Sequence, residues 1–183
     1  ANIDHRVNRR DTSDQDSDPV FESLGTDIAA IEKQDAILVV GSNIRSEAPI
    51  LAHRIRKAAV NGAKVSFANA KEYEYFFDVA DYVSGLGLVE LLSGIAVAAN
   101  VKSDAVSVLC AGVKANDAQS RIANSLKDAD DAMVLLGCIA GNHAAYSAVR
   151  ALAAAIANET GATIGFVTSG PNASGASLAG VLP

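Results

Sequence analysis

The residues best placed to do chemistry lie in Gly41-Ser42-Asn43-Ile44-Arg45-Ser46-Glu47-Ala48-Pro49, which follows the apolar run Ala36-Ile37-Leu38-Val39-Val40. Gly41 lets the backbone turn sharply, and free amides at the start of a following helix can receive a phosphate. The loop is not a dinucleotide fingerprint, which needs glycine at its third and sixth positions, where this chain has Asn43 and Ser46. It also lacks the Gly-Lys-Ser/Thr element of a phosphate-binding loop. Two readings stand side by side: a polar turn that caps the next helix, or a loop that holds an anionic ligand. A nucleotide-binding sheet often places an acid at the end of its second strand to hold the ribose hydroxyls. Here that stretch reads Ala68-Asn69-Ala70-Lys71-Glu72. Asn69 can hydrogen-bond without charge, and Glu72 falls late enough to be a solvated loop residue. Gly41, Ser42, Asn43 and Asn69 are candidate cofactor contacts only as a relic site or on the second, ligand-holding reading.

No catalytic set and no metal set emerges. The three histidines, His5, His53 and His143, have no ligand spacing among them. His53 reads as an exposed helix residue, and His143 as a helix-start residue. Ser169 and Ser174 lie in a glycine-rich context but lack a nucleophile elbow. Cys110 and Cys138 sit inside apolar runs and read as reduced core thiols. The aromatics between Tyr73 and Tyr82 read as a core or interdomain plug, with cofactor stacking as the functional alternative.

Composition narrows the field. Half of the 183 residues are hydrophobic, yet only 5% are aromatic and there is no tryptophan. That mix suits helices packed closely on a buried sheet. The net charge of −6 argues against non-specific nucleic-acid binding, which needs a basic footprint. The longest apolar stretch, 86–101, is broken by Glu90 and Asn100, so direct membrane insertion is not expected. The polar, charged start does not read as a secretory leader. The chain opens at Ala1, has its single Met at position 133, and stops at Pro183 after a Gly/Asn run. Both ends read as cuts through a larger polypeptide.

Residues 1–19 read as an extended charged leading segment draped over this domain or a neighbour, and 20–183 as a single domain. Within it, Thr26 or Asp27 caps a helix through Gln34, and 36–41 is a strand buried on both faces. A helix over 47–60 follows, with Ser46 as N-cap, the stripe Leu51, Ile55, Ala59, and Arg54, Arg56 and Lys57 toward solvent. Gly62 suits the left-handed position that ends it. Strands are expected at 63–68, 105–111, 132–137 and 162–168, with 71–83 as a connection. Helices are expected at 88–100, at 117–126, and from an Asn142 cap to 158 with the stripe Ala145, Val149, Leu152, Ile156. Such alternation predicts an α/β fold, a doubly wound and mostly parallel sheet with helices on both faces.

Four segments carry a resemblance to a known family. They are Asn2-Ile3-Asp4-His5-Arg6; the run 36–45 with Pro49 and 53–58; Asn61-Gly62-Ala63-Lys64-Val65; and 170–176 with Ala179-Gly180 and Pro183. Together they resemble the catalytic-domain region of the molybdopterin oxidoreductases. Within that family they are most similar to the branch formed by the large C-terminal domain of the G-type iron–sulfur subunit of NADH-quinone oxidoreductase, respiratory complex I. The resemblance implies a Rossmann-like framework of the formate dehydrogenase/DMSO reductase kind. It implies iron–sulfur clusters elsewhere in the parent subunit and other complex I subunits as partners. It also implies a place on the cytoplasmic side of the bacterial inner membrane, peripheral through the complex. In molybdenum members, loops of this kind hold molybdopterin guanine dinucleotide, and an acid followed by proline ends the second strand. Asn69-Ala70 stands there instead. The expected role is thus a cofactor-free structural domain, the alternative being the nucleotide-binding part of a formate-dehydrogenase-like molybdopterin enzyme.

Overall fold

A computed structural model describes residues 11–14, 21–168, 170 and 172–179. The expectations placed on residues 1–10 (His5 among them) and 15–19, and on Ser169, Gly180 and Pro183, lie outside these residues. The centre of the fold is built by its two most apolar strands, β1 (Ala36–Val40) and β4 (Ala132–Leu136), every residue of which is buried. Such unbroken apolar runs are what a parallel strand covered on both faces requires. β1 pairs with β2 (Lys64–Ala68) on one side and with β4 on the other. β2 carries β3 (Asp81–Val83) outward, and β4 carries β5 (Thr163–Phe166). All four pairings are parallel, and the order β3-β2-β1-β4-β5 reverses direction between β1 and β4.

Alternate residues of β1 point into opposite layers. Leu38 and Val40 meet α3 (Leu88–Ala98), α5 (Asp117–Lys127) and α7 (Tyr146–Thr160) through Leu92, Ile95, Ile122, Leu152 and Ile156. Ile37 and Val39 share the other layer with Ile44 of α1 (Ile44–Glu47), Ile55 and Ala58 of α2 (Pro49–Val60), and Ile31 of a 3-10 turn over Ile28–Lys33. Each fully buried Leu or Ile contributes about 1.5–3 kcal/mol. The sheet with helices on both faces is the α/β architecture expected from the alternation of elements.

Several local expectations are corrected. The strand expected at 105–111 is a helix, α4 (Asp104–Cys110). Its valines are not buried on two faces: Val106 is buried while Val108 is 85% exposed. Val106, Leu109 and Cys110 have helical i, i+3, i+4 spacing, and these are the residues that meet the core. The third strand is instead β3, three residues within the stretch read as a connection. The helix expected to start at Glu47 is divided. Pro49 disfavours helical backbone at the residue before it, and Ala48 accordingly sits at φ −145°, ψ 77°. Ser46 therefore lies inside the one-turn α1 and does not cap α2, whose N-cap is Ala48. The helix expected over 26–34 is only the 3-10 turn, and Asp27 makes no side-chain cap bond to it.

Other side chains also find partners that were not foreseen. Arg54 and Lys57 do not simply face solvent: both pair with Glu32, tying α2 to the 3-10 turn, with Lys57 Nζ at 2.6 Å from the carboxylate. Asn142 does not cap the long helix. It ends α6 (Cys138–Gly141), with its Nδ2 donating to the Cys138 carbonyl at 2.8 Å. α7 starts four residues later at Tyr146, and Val149, Leu152 and Ile156 of its expected stripe are buried. Cys110 and Cys138 are half-buried, not core thiols, because each lies at a helix end. Of the leading segment, the described residues 11–14 lie on α7 through Asp11 and Asp14. The last helix among the described residues is α8 (Ala173–Leu178).

Candidate functional site

Open α/β sheets bind ligands at the carboxyl ends of their strands, where the strand order reverses. In this chain that place is the junction of the loops after β1 and β4, flanked by the end of β2. Gly41 leaves β1 with φ +56°, and a Cβ there would lie 2.6 Å from the Ala140 amide nitrogen. Only glycine allows both the backbone and the contact. The two loops then bond directly: the Gly137 amide donates to Val40 O and the Ala140 amide to Gly41 O, each at 2.9 Å.

All four candidate residues meet here. Ser42 is fully buried. Its amide donates to Asn69 Oδ1 at 2.7 Å, while Asn69 Nδ2 donates back to Ser42 O at 3.1 Å. The second hydrogen of Asn69 Nδ2 goes to the Tyr82 hydroxyl at 2.8 Å. Both polar ends of the Asn69 amide are therefore engaged within the chain. Tyr82 is equally committed. Its hydroxyl donates to Lys71 O at 3.1 Å and also accepts from the Tyr73 amide at 3.3 Å. The Asn43 amide donates to Glu47 Oε1 at 2.8 Å. Glu47 Oε2 accepts from Ser42 Oγ at 2.7 Å and from the Cys138 amide at 2.8 Å.

An aromatic layer covers the β2 side. Phe67 stacks on Tyr75 at a centroid distance of 4.1 Å and on Tyr82 at 5.6 Å. The Tyr75 hydroxyl donates to Ser42 O at 3.3 Å. Burial first, then the neighbouring Tyr82 and Glu47, push the Tyr75 hydroxyl above its ordinary range. Burial does the same to Tyr82. Both phenols therefore remain protonated donors at neutral pH. This part of the aromatic stretch is a plug over the end of β2. Phe76 is instead exposed under the Arg45 guanidinium, 4.2 Å from its ring centre.

The sequence reading missed Glu47, and it placed Tyr75 and Tyr82 in the aromatic plug without their bonds to Ser42 and Asn69. An acid five residues after Ser42, within the same turn and just before Pro49, was the available signal for Glu47. The Cys138 amide, 91 positions away, left none. The remaining candidates stay apart from this junction. Glu72 is exposed and accepts from Ser84 Oγ. His53 is exposed on α2, and His143 Nδ1 accepts from the Ala145 amide at 3.1 Å. Ser174 Oγ donates to the carbonyl of Glu22. Among the described residues, no three His, Cys, Asp or Glu side chains gather as a metal ion would need. None of the helices in these residues is long and apolar enough to cross a membrane.

A comparison with curated proteins returns no match. The family model for molybdopterin oxidoreductases matches residues 3–176, nearly the whole chain. That match takes in all five strands of the parallel sheet described above, and the chain belongs to the molybdopterin oxidoreductase family.

Proposed function

We propose that this chain is a cofactor-free structural domain of the G-type iron–sulfur subunit of an NADH-quinone oxidoreductase, respiratory complex I. There it supports electron transfer from NADH to quinone in the peripheral arm. The supporting observation is the inward engagement of the polar groups at the strand-order reversal. A nucleotide needs free donors and acceptors there. Instead, the Asn69 amide is fully bonded to Ser42 and Tyr82. The Asn43 and Cys138 amides donate to the chain's own Glu47 carboxylate. The space beside Gly41 is filled by Ala140. In this arrangement Gly41, Ser42, Asn43 and Asn69 do not fit a guanine dinucleotide, and no chemical step is assigned through one.

On this reading the partners are the iron–sulfur domains of the same polypeptide and neighbouring complex I subunits. The iron–sulfur clusters belong to the rest of the parent, and its place is peripheral on the cytoplasmic side of the inner membrane. One observation favours the alternative, a nucleotide-binding part of a molybdopterin-guanine-dinucleotide enzyme: all four candidate residues do converge where open α/β sheets take ligands. Metal and pterin analysis of the purified parent protein separates the two. The structural reading expects iron and sulfide without stoichiometric molybdenum or pterin. One molybdenum and its pterin per parent chain would replace it with the alternative.

A further inference from the structure

We propose that Glu47 is a latch that holds the β1 and β4 loops together, and that breaking its bond to the Cys138 amide opens the crevice between them and exposes the Cys138 thiol. The bonding is asymmetric. Oε1 is held within its own loop by the Asn43 amide at 2.8 Å. Oε2 reaches across to the Cys138 amide at 2.8 Å while also accepting from Ser42 Oγ at 2.7 Å. The carboxylate is the only charged group in this set, and a charge-assisted bond is roughly twice as strong as the neutral backbone bonds beside it. Those neutral bonds are Gly137 N to Val40 O and Ala140 N to Gly41 O.

The seam is built to part. Gly41 and Gly137 meet the opposite loop without side chains: a Cβ on Gly137 would collide with Ser42 Cβ and Glu47 Oε2. At each glycine bare backbone meets a small side chain of the opposite loop, Ala140 at Gly41 and Ser42 at Gly137. The two sides are anchored unequally. α1 and α6 are both single turns with one fully buried residue, but Ile44 of α1 buries a larger side chain than Ala140 of α6. α6 is therefore the side that moves, and Cys138 opens it. The half-buried Cys138 thiol lies 3.7 Å from Val167 O in the closed form. This latch depends on these residues alone, whether or not the parent protein carries a pterin.

The test is site-resolved alkylation of the folded 183-residue chain with N-ethylmaleimide, read by mass spectrometry, with Cys110 as the internal control. Glu47→Ala removes both acceptors and should raise the Cys138 rate about tenfold, the effect of losing one bond to a charged group, with Cys110 unchanged. Glu47→Gln keeps one acceptor oxygen and turns an NH2 toward a donor, so its rate should fall between. An unchanged Cys138 rate in Glu47→Ala overturns the latch. So does a parallel rise at Cys110, which would mean general loosening. Should Glu47→Ala not fold, native-state hydrogen exchange of the unaltered chain decides the matter. The Cys138 and Ala140 amides, which cross the seam, should then exchange together and well before the Asn43 amide and the amides of β1 and β4. Exchange only through global unfolding would sink the proposal.

Discussion

Asn69 grips the backbone of Ser42 at both ends of its amide, accepting from the Ser42 nitrogen at 2.7 Å and donating to the Ser42 carbonyl at 3.1 Å. The side chain thus prolongs the pairing of β1 and β2 by one rung beyond Val40 and Ala68. An amide can do this because it carries a donor and an acceptor side by side; a carboxylate cannot.

Asn69→Asp should therefore destabilise the domain. The acid would keep the bond from the Ser42 amide but lose both donors, leaving the Ser42 carbonyl facing a negative charge. The loss should be about 1–3 kcal/mol in urea unfolding, the range for leaving a buried polar group unsatisfied. Unchanged stability would mean that Asn69 is not the bracket described. Gain of nucleotide binding would mean that the site is still competent and would favour the molybdopterin reading.

Gly41 and Gly62 separate backbone strain from steric exclusion. Both have positive φ, +56° and +105°, but a Cβ on Gly41 meets Ala140 while one on Gly62 meets nothing within 4 Å. Gly62→Ala should cost only the backbone term, about 1–2 kcal/mol. Gly41→Ala should cost that and more, because the new Cβ displaces the fully buried Ala140 and breaks the bond from its amide to Gly41 O. Thermal unfolding of the two variants tests this directly, and equal losses would show that the loops yield at Ala140.

The two tyrosines of the plug should differ sharply although they stack on the same ring. The Tyr75 hydroxyl makes one bond, to Ser42 O at 3.3 Å. The Tyr82 hydroxyl donates to Lys71 O and accepts from Asn69 and the Tyr73 amide. Tyr82→Phe removes the centre of that network and should lower stability by about 1–2 kcal/mol, whereas Tyr75→Phe should change it by less than about 1 kcal/mol. A reversed order in denaturant unfolding would place the plug's polar anchor at Tyr75.

What could be read from sequence followed how local its cause was. β1 and β4 were legible because burial on both faces leaves an unbroken apolar run. β3 was not, because three residues carry no period. Val106 and Val108 misled because β-branched residues suggest a strand, while the actual packing uses Val106, Leu109 and Cys110 against the surrounding helices. At the site, Gly41, Ser42, Asn43 and Asn69 were found because the ends of β1 and β2 must converge in this fold class. Glu47 was read only as the start of a helix, since one of its partners lies on the β4 loop. The start of α7 was misplaced for the same reason: its cap is remote.

That cap is Asp11. Ala145, at the N-cap of α7, offers no side-chain bond. Asp11 Oδ2 instead accepts from the Ser147 amide at 2.9 Å and from Ser147 Oγ at 2.5 Å, across 136 positions. The Ser147 hydroxyl, helped by the Ser147 and Ser13 amides, holds the Asp11 carboxyl well below the usual carboxylate range against the opposing effect of burial. A pKa lowered by folding means that the folded state favours the ionised form. The stabilisation is then complete above the unfolded value near about 4 and fades as pH falls toward the lower folded value. Asp11→Ala should cost about 1 kcal/mol at neutral pH, as loss of a helix cap does. The gap between it and the unaltered chain should narrow below about pH 4 as the carboxylate takes up its proton. Urea unfolding of both chains from neutral pH down to about pH 2.5 checks this. A gap that stays constant across that range would mean that Asp11 holds α7 by shape and not by charge.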